Sequence, residues 1–151
     1  MRYITKKASE TFELGFEFGK TLEKGSVVAL TGELGTGKTV FTKGIAKALG
    51  IKDYIHVNSA SFVILQEYKG KIPLYHFDLY RMKKPRDVET VGCEEYFYSK
   101  GISVVEWADR AAEILPEEHI AVEFKHKGDN KREIIVNAKR KSQNAKPKRK
   151  T

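Results

Sequence analysis

Little in this chain of 151 residues can cross-link it or anchor it in a bilayer. Cys93 is the only cysteine, so no internal disulfide can form, and a reducing cytoplasm is the expected compartment. No basic residue adjoins Cys93, which is therefore expected to pack as a small hydrophobe and not to act as a nucleophile. No apolar run is long enough for a membrane helix, and residues 1–7 lack the apolar segment of a secretory signal; neither a membrane role nor export is expected. Residues 1–138 show no internal repeat and no linker, and read as one domain with one core. Residues 139–151 lack acids and aromatics altogether while carrying seven basic groups: Lys139, Arg140, Lys141, Lys146, Lys148, Arg149 and Lys150. Without those seven, the 28 basic residues fall to 21 against 20 acidic ones, so the net charge of +8 belongs to the tail. Such a segment buries too little apolar surface to order itself. With no aromatic rings to stack on bases, it is suited to a weak, nonspecific hold on RNA phosphates or to keeping the chain soluble.

What the chain does have is a phosphate-binding pattern in the right setting. Val27-Val28-Ala29-Leu30 is an apolar run expected to form a buried parallel strand. Gly32-Glu33-Leu34-Gly35-Thr36-Gly37-Lys38-Thr39 follows and matches the P-loop. Residues 40–49 then show helical spacing (Phe41, Ile45, Ala48, Leu49) and end at Gly50. The glycines allow a tight turn that aims successive N–H groups at phosphate oxygens, and the helix N-terminus adds partial positive charge. Lys38 is expected to reach the β and γ phosphates, and the Thr39 hydroxyl to ligate magnesium. Leu34, Gly35, Thr36, Gly37 and Val40 complete the expected contacts with a nucleoside triphosphate.

Around this unit the strand and helix signals alternate. A short strand is expected at residues 3–5 and a helix at 9–23, with Ser9 as its cap and Phe12, Phe16, Gly19 and Leu22 on one face. Residues 51–60 read as a loop. Residues 62–68 and 72–77, joined by Lys69-Gly70-Lys71, read as an antiparallel pair. A helix broken near Gly92 is expected over 86–99, a strand over 102–105 and a helix over 108–115 that stops at Pro116. Residues 120–124 and 133–136, joined across Gly128-Asp129-Asn130, read as a closing hairpin. The sum is a single α/β P-loop domain with a mixed, mainly parallel sheet flanked by helices and an antiparallel hairpin near the C-terminus. Two acids fall where such domains do chemistry. Asp78 ends the strand after His76-Phe77, where an aspartate holds magnesium; its bland alternative is a turn cap. Glu106 ends the strand Ile102-Ser103-Val104-Val105 and could position the attacking water, hold the metal or cap the next helix. Trp107 either packs in the core or flanks the nucleotide.

Three motifs together, the P-loop, His76-Phe77-Asp78-Leu79-Tyr80-Arg81 and Val105-Glu106-Trp107, resemble the signatures of the TsaE (YjeE) family. Thr11-Phe12-Glu13-Leu14-Gly15 also resembles that family's first helix. The resemblance implies a small bacterial ATPase required to make threonylcarbamoyladenosine in tRNA. It would act with a TsaB–TsaD pair, TsaD transferring the threonylcarbamoyl group and ATP turnover resetting the pair between cycles. By position it implies catalytic roles for Lys38, Asp78 and Glu106, and magnesium ligation by Thr39, Asp78 and Glu106. Thr11 and Arg132 would lie near the base or ribose. One departure is the loop that senses the γ-phosphate, where the family has Ser-Pro-Thr and this chain has Ser59-Ala60-Ser61. Ser61 keeps a hydroxyl, but without proline the backbone there is less restrained. Tyr80, Arg81 and Glu94-Glu95-Tyr96-Phe97 are candidate partner contacts.

Three alternatives are set against this. A GTPase would use Asn130-Lys131-Arg132-Glu133 to read guanine, although the segment ends in Glu and no Asp-x-x-Gly follows the Asp78 strand. A small-molecule kinase would need an arginine-bearing lid, for which Arg81, Arg86 and Arg110 are scattered. An RNA-binding module would rest on the basic tail alone.

Overall fold

The structure is a computed structural model in which residues 1–58, 65–82, 92–128 and 130–139 are described. Its centre is β2 (Val27–Gly32), whose apolar residues are buried on both sides because the strand lies between two layers. Val28 and Leu30 face one layer with α2 (Lys38–Ala48), where Phe41, Ile45 and Ala46 are fully buried. Val27 and Ala29 face the other, with Cys93 and Phe97 of α3 (Cys93–Phe97) and with Ala108 and Ala111. Alternation of side chains along a strand thus divides four consecutive apolar residues between two cores.

Among the described residues seven strands form one sheet, in the order β1-β7-β6-β2-β5-β4-β3. β6 (His119–His126), β2, β5 (Ile102–Glu106) and β4 (Leu74–Asp78) run parallel through the middle. Antiparallel neighbours close both flanks: β1 (Arg2–Thr5) and β7 (Arg132–Lys139) on one side, β3 (Leu65–Tyr68) on the other. The expected mixed α/β domain and the C-terminal hairpin are present, with the parallel pairing confined to the middle of the sheet. The hairpin turns through Gly128 and Asn130, both at positive φ.

Several expected boundaries move. The first helix, α1, runs Ala8–Gly19 and not to residue 23: Thr21 and Leu22 donate to the carbonyls of Phe18 and Gly19, three residues back, and so close the helix in a tighter turn. Lys7, and not Ser9, occupies its N-cap, while the Glu10 carboxylate accepts from the Lys6 amide at 2.7 Å. The expected helix over 108–115 shrinks to a single 3-10 turn, Ala108–Ala111. There the chain must bury Ala108, Ala111 and Leu115 while Arg110 donates to the carbonyls of Tyr80 and Met82. The expected loop after Gly50 contains a 3-10 turn, Tyr54–His56. Residues 62–64, 86–91 and 140–151, on which other expectations fall, lie outside the described residues. Among the described residues no helix is long and apolar enough to cross a membrane. Cys93 is buried as expected, and burial pushes its thiol up to about 11, out of reach as a nucleophile near neutral pH.

At the β1–β7 edge, Arg2 bonds the buried Glu133 carboxylate, with Lys127 at 3.6 Å from its other oxygen. The Arg2 hydrogen bond holds Glu133 below the usual carboxylate range. A carboxylate whose folded-state value is depressed stabilises the fold above its unfolded value, and that stability is lost as pH falls through the folded one. Arg2→Gln is therefore expected to lower the melting temperature near neutral pH, the gap from the parent closing as the solution is acidified below the carboxylate range. A gap that stays constant with pH would rule out this pair as the source.

Candidate functional site

The site lies where β2, β5 and β4 end side by side. Parallel pairing sets Leu30 beside Glu106 and Glu106 beside Asp78, so the two acids arrive on one edge without any loop to place them. The turn after β2 carries the phosphate-binding pattern into α2. Gly35 and Gly37 hold φ of 75° and 101°, a region that other residues enter only at a cost. A Cβ on Gly37 would also come within 3.3 Å of Thr11 and 3.4 Å of Arg132. α2 begins at Lys38, and the Phe41 amide donates to the Gly37 carbonyl at 2.9 Å as its first turn closes.

Lys38 is buried, and its ammonium donates to the carbonyls of Gly32 at 2.5 Å and Glu33 at 2.8 Å. Burial lowers its pKa from the ordinary lysine value, while Glu106 first and Asp78 next pull it back up. The Trp107 ring lies beneath this ammonium at 4.4 Å and is half-buried, with Tyr80 and Arg110 packed on it at 5.0 and 5.4 Å. Trp107 has a φ of 59°, which is unusual for a bulky residue and places the strain directly after Glu106.

Thr39 Oγ1 donates to Glu106, its two oxygens at 3.2 and 3.3 Å. Glu106 is 2% exposed and Asp78 6%. Asp78 accepts from the Tyr80 amide at 3.0 Å, so part of its expected alternative role as a turn cap is present. Among the described residues no group of three His, Cys, Asp or Glu side chains makes a metal site by itself. The oxygen donors present, one hydroxyl and two carboxylates, are nevertheless the kind that suit magnesium, which completes its shell with water and phosphate oxygens.

The loosely expected contacts also gather at the loop. Thr11 is buried on α1, sharing a hydrogen bond of 2.8 Å with Thr5 Oγ1. Arg132, at the start of β7, donates to the Gly35 carbonyl at 3.3 Å, and its Nε is buried with no hydrogen-bond partner among the described residues. A buried donor left over beside the loop fits an anionic or hydroxyl-bearing ligand there. Thr36 Oγ1 ties the loop to the Glu33 carbonyl at 2.6 Å. Leu34 stands 65% exposed at the loop's apex, and Val40 is half-buried in the first turn of α2. A cleft of about 680 Å³ opens beside the loop, walled by Gly32, Thr36, Trp107, Asp109, Arg110 and Lys125. Ser61 lies outside the described residues. Of the candidate partner contacts, Tyr80 is exposed, but Phe97 is 2% exposed and belongs to the core.

Sequence reasoning overlooked His76. Its side chain is buried and its Nε2 lies 2.6 Å from Glu106 Oε2. The signal was available: His76 is two residues before Asp78, so on a strand both face the same side.

A strand, a glycine-rich turn and a helix, with acids on the neighbouring strand ends, belong here to a mixed α/β domain whose sheet is parallel in its middle. A family model described as "Threonylcarbamoyl adenosine biosynthesis protein TsaE" matches residues 5–134. The chain belongs to the TsaE family. It is 40% identical over 136 residues to a Treponema pallidum protein named "tRNA threonylcarbamoyladenosine biosynthesis protein TsaE", covering 90% of this chain and 99% of that one. A Bacillus subtilis protein of the same name is 41% identical over 139 residues, 91% of this chain and 85% of its own. The crystal structure of Bacillus subtilis YdiB is similar with a TM-score of 0.76 at 36% identity, covering 92% of this chain and 85% of that one.

Proposed function

We propose that this chain binds ATP with magnesium and hydrolyses it, slowly alone and faster with a TsaB–TsaD pair, as the ATPase subunit of tRNA threonylcarbamoyladenosine synthesis. The observation that carries the reading is the convergence of Lys38, Thr39, Asp78 and Glu106 at three adjacent strand ends beside the glycine turn. Names of the relatives supply the pathway, and the chemistry of these residues supplies the reaction.

The loop's N–H groups and the α2 N-terminus receive the phosphates. Lys38 exchanges its two carbonyl acceptors for β and γ phosphate oxygens and stabilises the charge that develops there. Water attacks the γ-phosphorus in line, the bond to the bridging oxygen breaks, and ADP leaves. Glu106 orients that water and takes up its proton. Magnesium, held by Thr39 with Asp78 and Glu106, would supply further positive charge to the phosphates. Thr11 and Arg132 border the loop where the sugar and base of the nucleotide would continue.

One observation weighs against the guanine-reading alternative: Glu133, its acid, is engaged by Arg2 and Lys127 and is buried at the sheet edge. The test is hydrolysis of ATP and GTP by the chain alone and with purified TsaB–TsaD. Slow ATP turnover that rises with the pair, and is lost in Lys38→Ala, is the expected result. High turnover indifferent to the pair, or faster with GTP, would overturn the assignment. Retention of tRNA that survives Lys38→Ala but vanishes on deleting residues 139–151 would mark the tail as a separate RNA-binding element.

A further inference from the structure

His76 stands at the point where the apolar core gives way to the site. On its face of the sheet the neighbouring positions in β4 and β5 are Leu74, Ile102 and Val104, all fully buried and apolar, while its cross-strand partner in β3 is the half-buried Gln66. An apolar side chain would satisfy packing at position 76. An imidazole there must instead find a polar partner or pay for its desolvation. Its partner is Glu106: parallel register puts His76 beside Val104, one pleat below the Asp78–Glu106 pair, and Nε2 meets Oε2 at 2.6 Å. A carboxylate oxygen only accepts, so Nε2 carries the hydrogen and donates.

Glu106 needs such a contact. Its other hydrogen bond among the described residues, from the Thr39 hydroxyl, is split between both oxygens at 3.2 and 3.3 Å, which favours neither and does little to fix the carboxylate plane. We propose that His76 is a positioning residue for Glu106: it pins one carboxylate oxygen and thereby fixes how the other is presented to the nucleotide site. The inference rests on the reading of Glu106 as the residue that positions water. It makes His76 a part of turnover that never touches nucleotide. The apolar side chains of Leu74, Ile102 and Val104 pack the ring and oppose its following the carboxylate if Glu106 shifts.

The test measures ATP turnover with TsaB–TsaD, the affinity for a fluorescent ATP analogue in the presence of EDTA, and the melting temperature. Glutamine can place an amide donor near the position of Nε2, whereas asparagine's falls short of Glu106 and leucine has none. His76→Leu and His76→Asn are expected to lower kcat about tenfold or more, with analogue affinity within about twofold of the parent. His76→Gln is expected to recover kcat to within about threefold, which a purely structural histidine would not require. In a Glu106→Gln background, His76→Leu should cost less than about twofold more, because the group it positions is already gone. Should His76→Leu fail to fold, the contrast between Asn and Gln decides. Equal losses in Asn and Gln, or kcat within about twofold of the parent in both, would overturn the proposal. Losses that multiply in the double variant would overturn it too. Full turnover in Glu106→Gln alone would remove the reading of Glu106, a result distinct from any failure of His76.

Discussion

Glu106→Gln is expected to lower partner-stimulated ATP turnover by about a hundredfold or more, with nucleotide affinity changed only a few-fold. The substitution keeps the side chain's shape and leaves an oxygen that can accept from His76 or Thr39. It removes the charge and the ability to take a proton from water. Two groups beside it respond. Lys38 loses the acid that most opposes the effect of its burial, so its pKa falls further, although Asp78, Asp109 and Glu33 still act in the opposite direction. His76 loses a carboxylate partner and keeps an amide oxygen, so the core beneath stays satisfied. Neither change touches the loop N–H groups proposed to hold the phosphates, which is why binding and turnover should separate. Single-turnover hydrolysis, followed beside binding of a fluorescent ATP analogue, checks this. Parallel losses in both would show that Glu106 builds the binding site and does not act in the chemical step. Unchanged turnover with intact binding would falsify the catalytic assignment.

Asp78 is expected to behave differently, and the contrast follows from its surroundings. It ends β4 beside Glu106 but spends one oxygen on the Tyr80 amide, holding the turn that presents Tyr80. Tyr80 in turn packs on Trp107, and Arg110 donates to its carbonyl at 2.5 Å. The second acid therefore links the strand end to the exposed aromatic at the cleft. Lys38, Tyr80 and Arg110 all lie against the Trp107 ring, which thereby touches both the glycine-rich loop and the exposed Tyr80.

How much of this could be read from the chain depends on the range of the interaction. The strand–turn–helix unit was legible because its parts are local: an apolar run, closely spaced glycines and a helical period follow one another within 23 residues, Val27 to Leu49. Asp78 and Glu106 were legible as residues that end apolar strands. What places them side by side is the pairing of β4 with β5, a contact between segments whose order in the sheet no local pattern encodes. His76 was missed for the same reason: its role exists only once β5 lies next to β4. The helix expected over 108–115 failed because its apolar spacing, Ala108, Ala111 and Leu115, suits a 3-10 turn followed by bends as well as a helix. Arg110's bonds to the carbonyls of Tyr80 and Met82 are long-range and decide between them. Arg132 followed a resemblance and no motif; its place over Gly37 comes from β7 joining β1 at the sheet edge.

The largest effect on stability is expected from adding a single methyl group where the first two helices cross. α1 and α2 touch backbone to backbone. A Cβ on Gly44 would lie 2.2 Å from the Phe12 carbonyl oxygen and 2.7 Å from the Phe16 nitrogen, and one on Gly15 would lie 2.2 Å from the Phe41 carbonyl oxygen. These neighbours are main chain and cannot rotate away, so Gly44→Ala must push the helices apart and open the packing of Phe41 and Ile45 in the core. The helix propensity gained by replacing glycine is about 1 kcal/mol, too small to offset overpacking against backbone, and a net loss of about 3 kcal/mol is expected. For a domain of this size that corresponds to a fall in melting temperature of about 10 °C. The damage should reach the site as well, because α2 begins with Lys38 and Thr39. A shift of its axis moves both relative to Glu106, which stays fixed on β5. Affinity for ATP should therefore fall even at temperatures where Gly44→Ala remains folded. Glu13→Ala, on the exposed face of α1, is the control and should change stability by no more than about 0.5 kcal/mol. Melting curves with and without nucleotide measure both effects. Were Gly44→Ala to melt within a degree or two of the parent, the close approach of the helices would not be what holds α2, and with it Lys38 and Thr39, against the sheet.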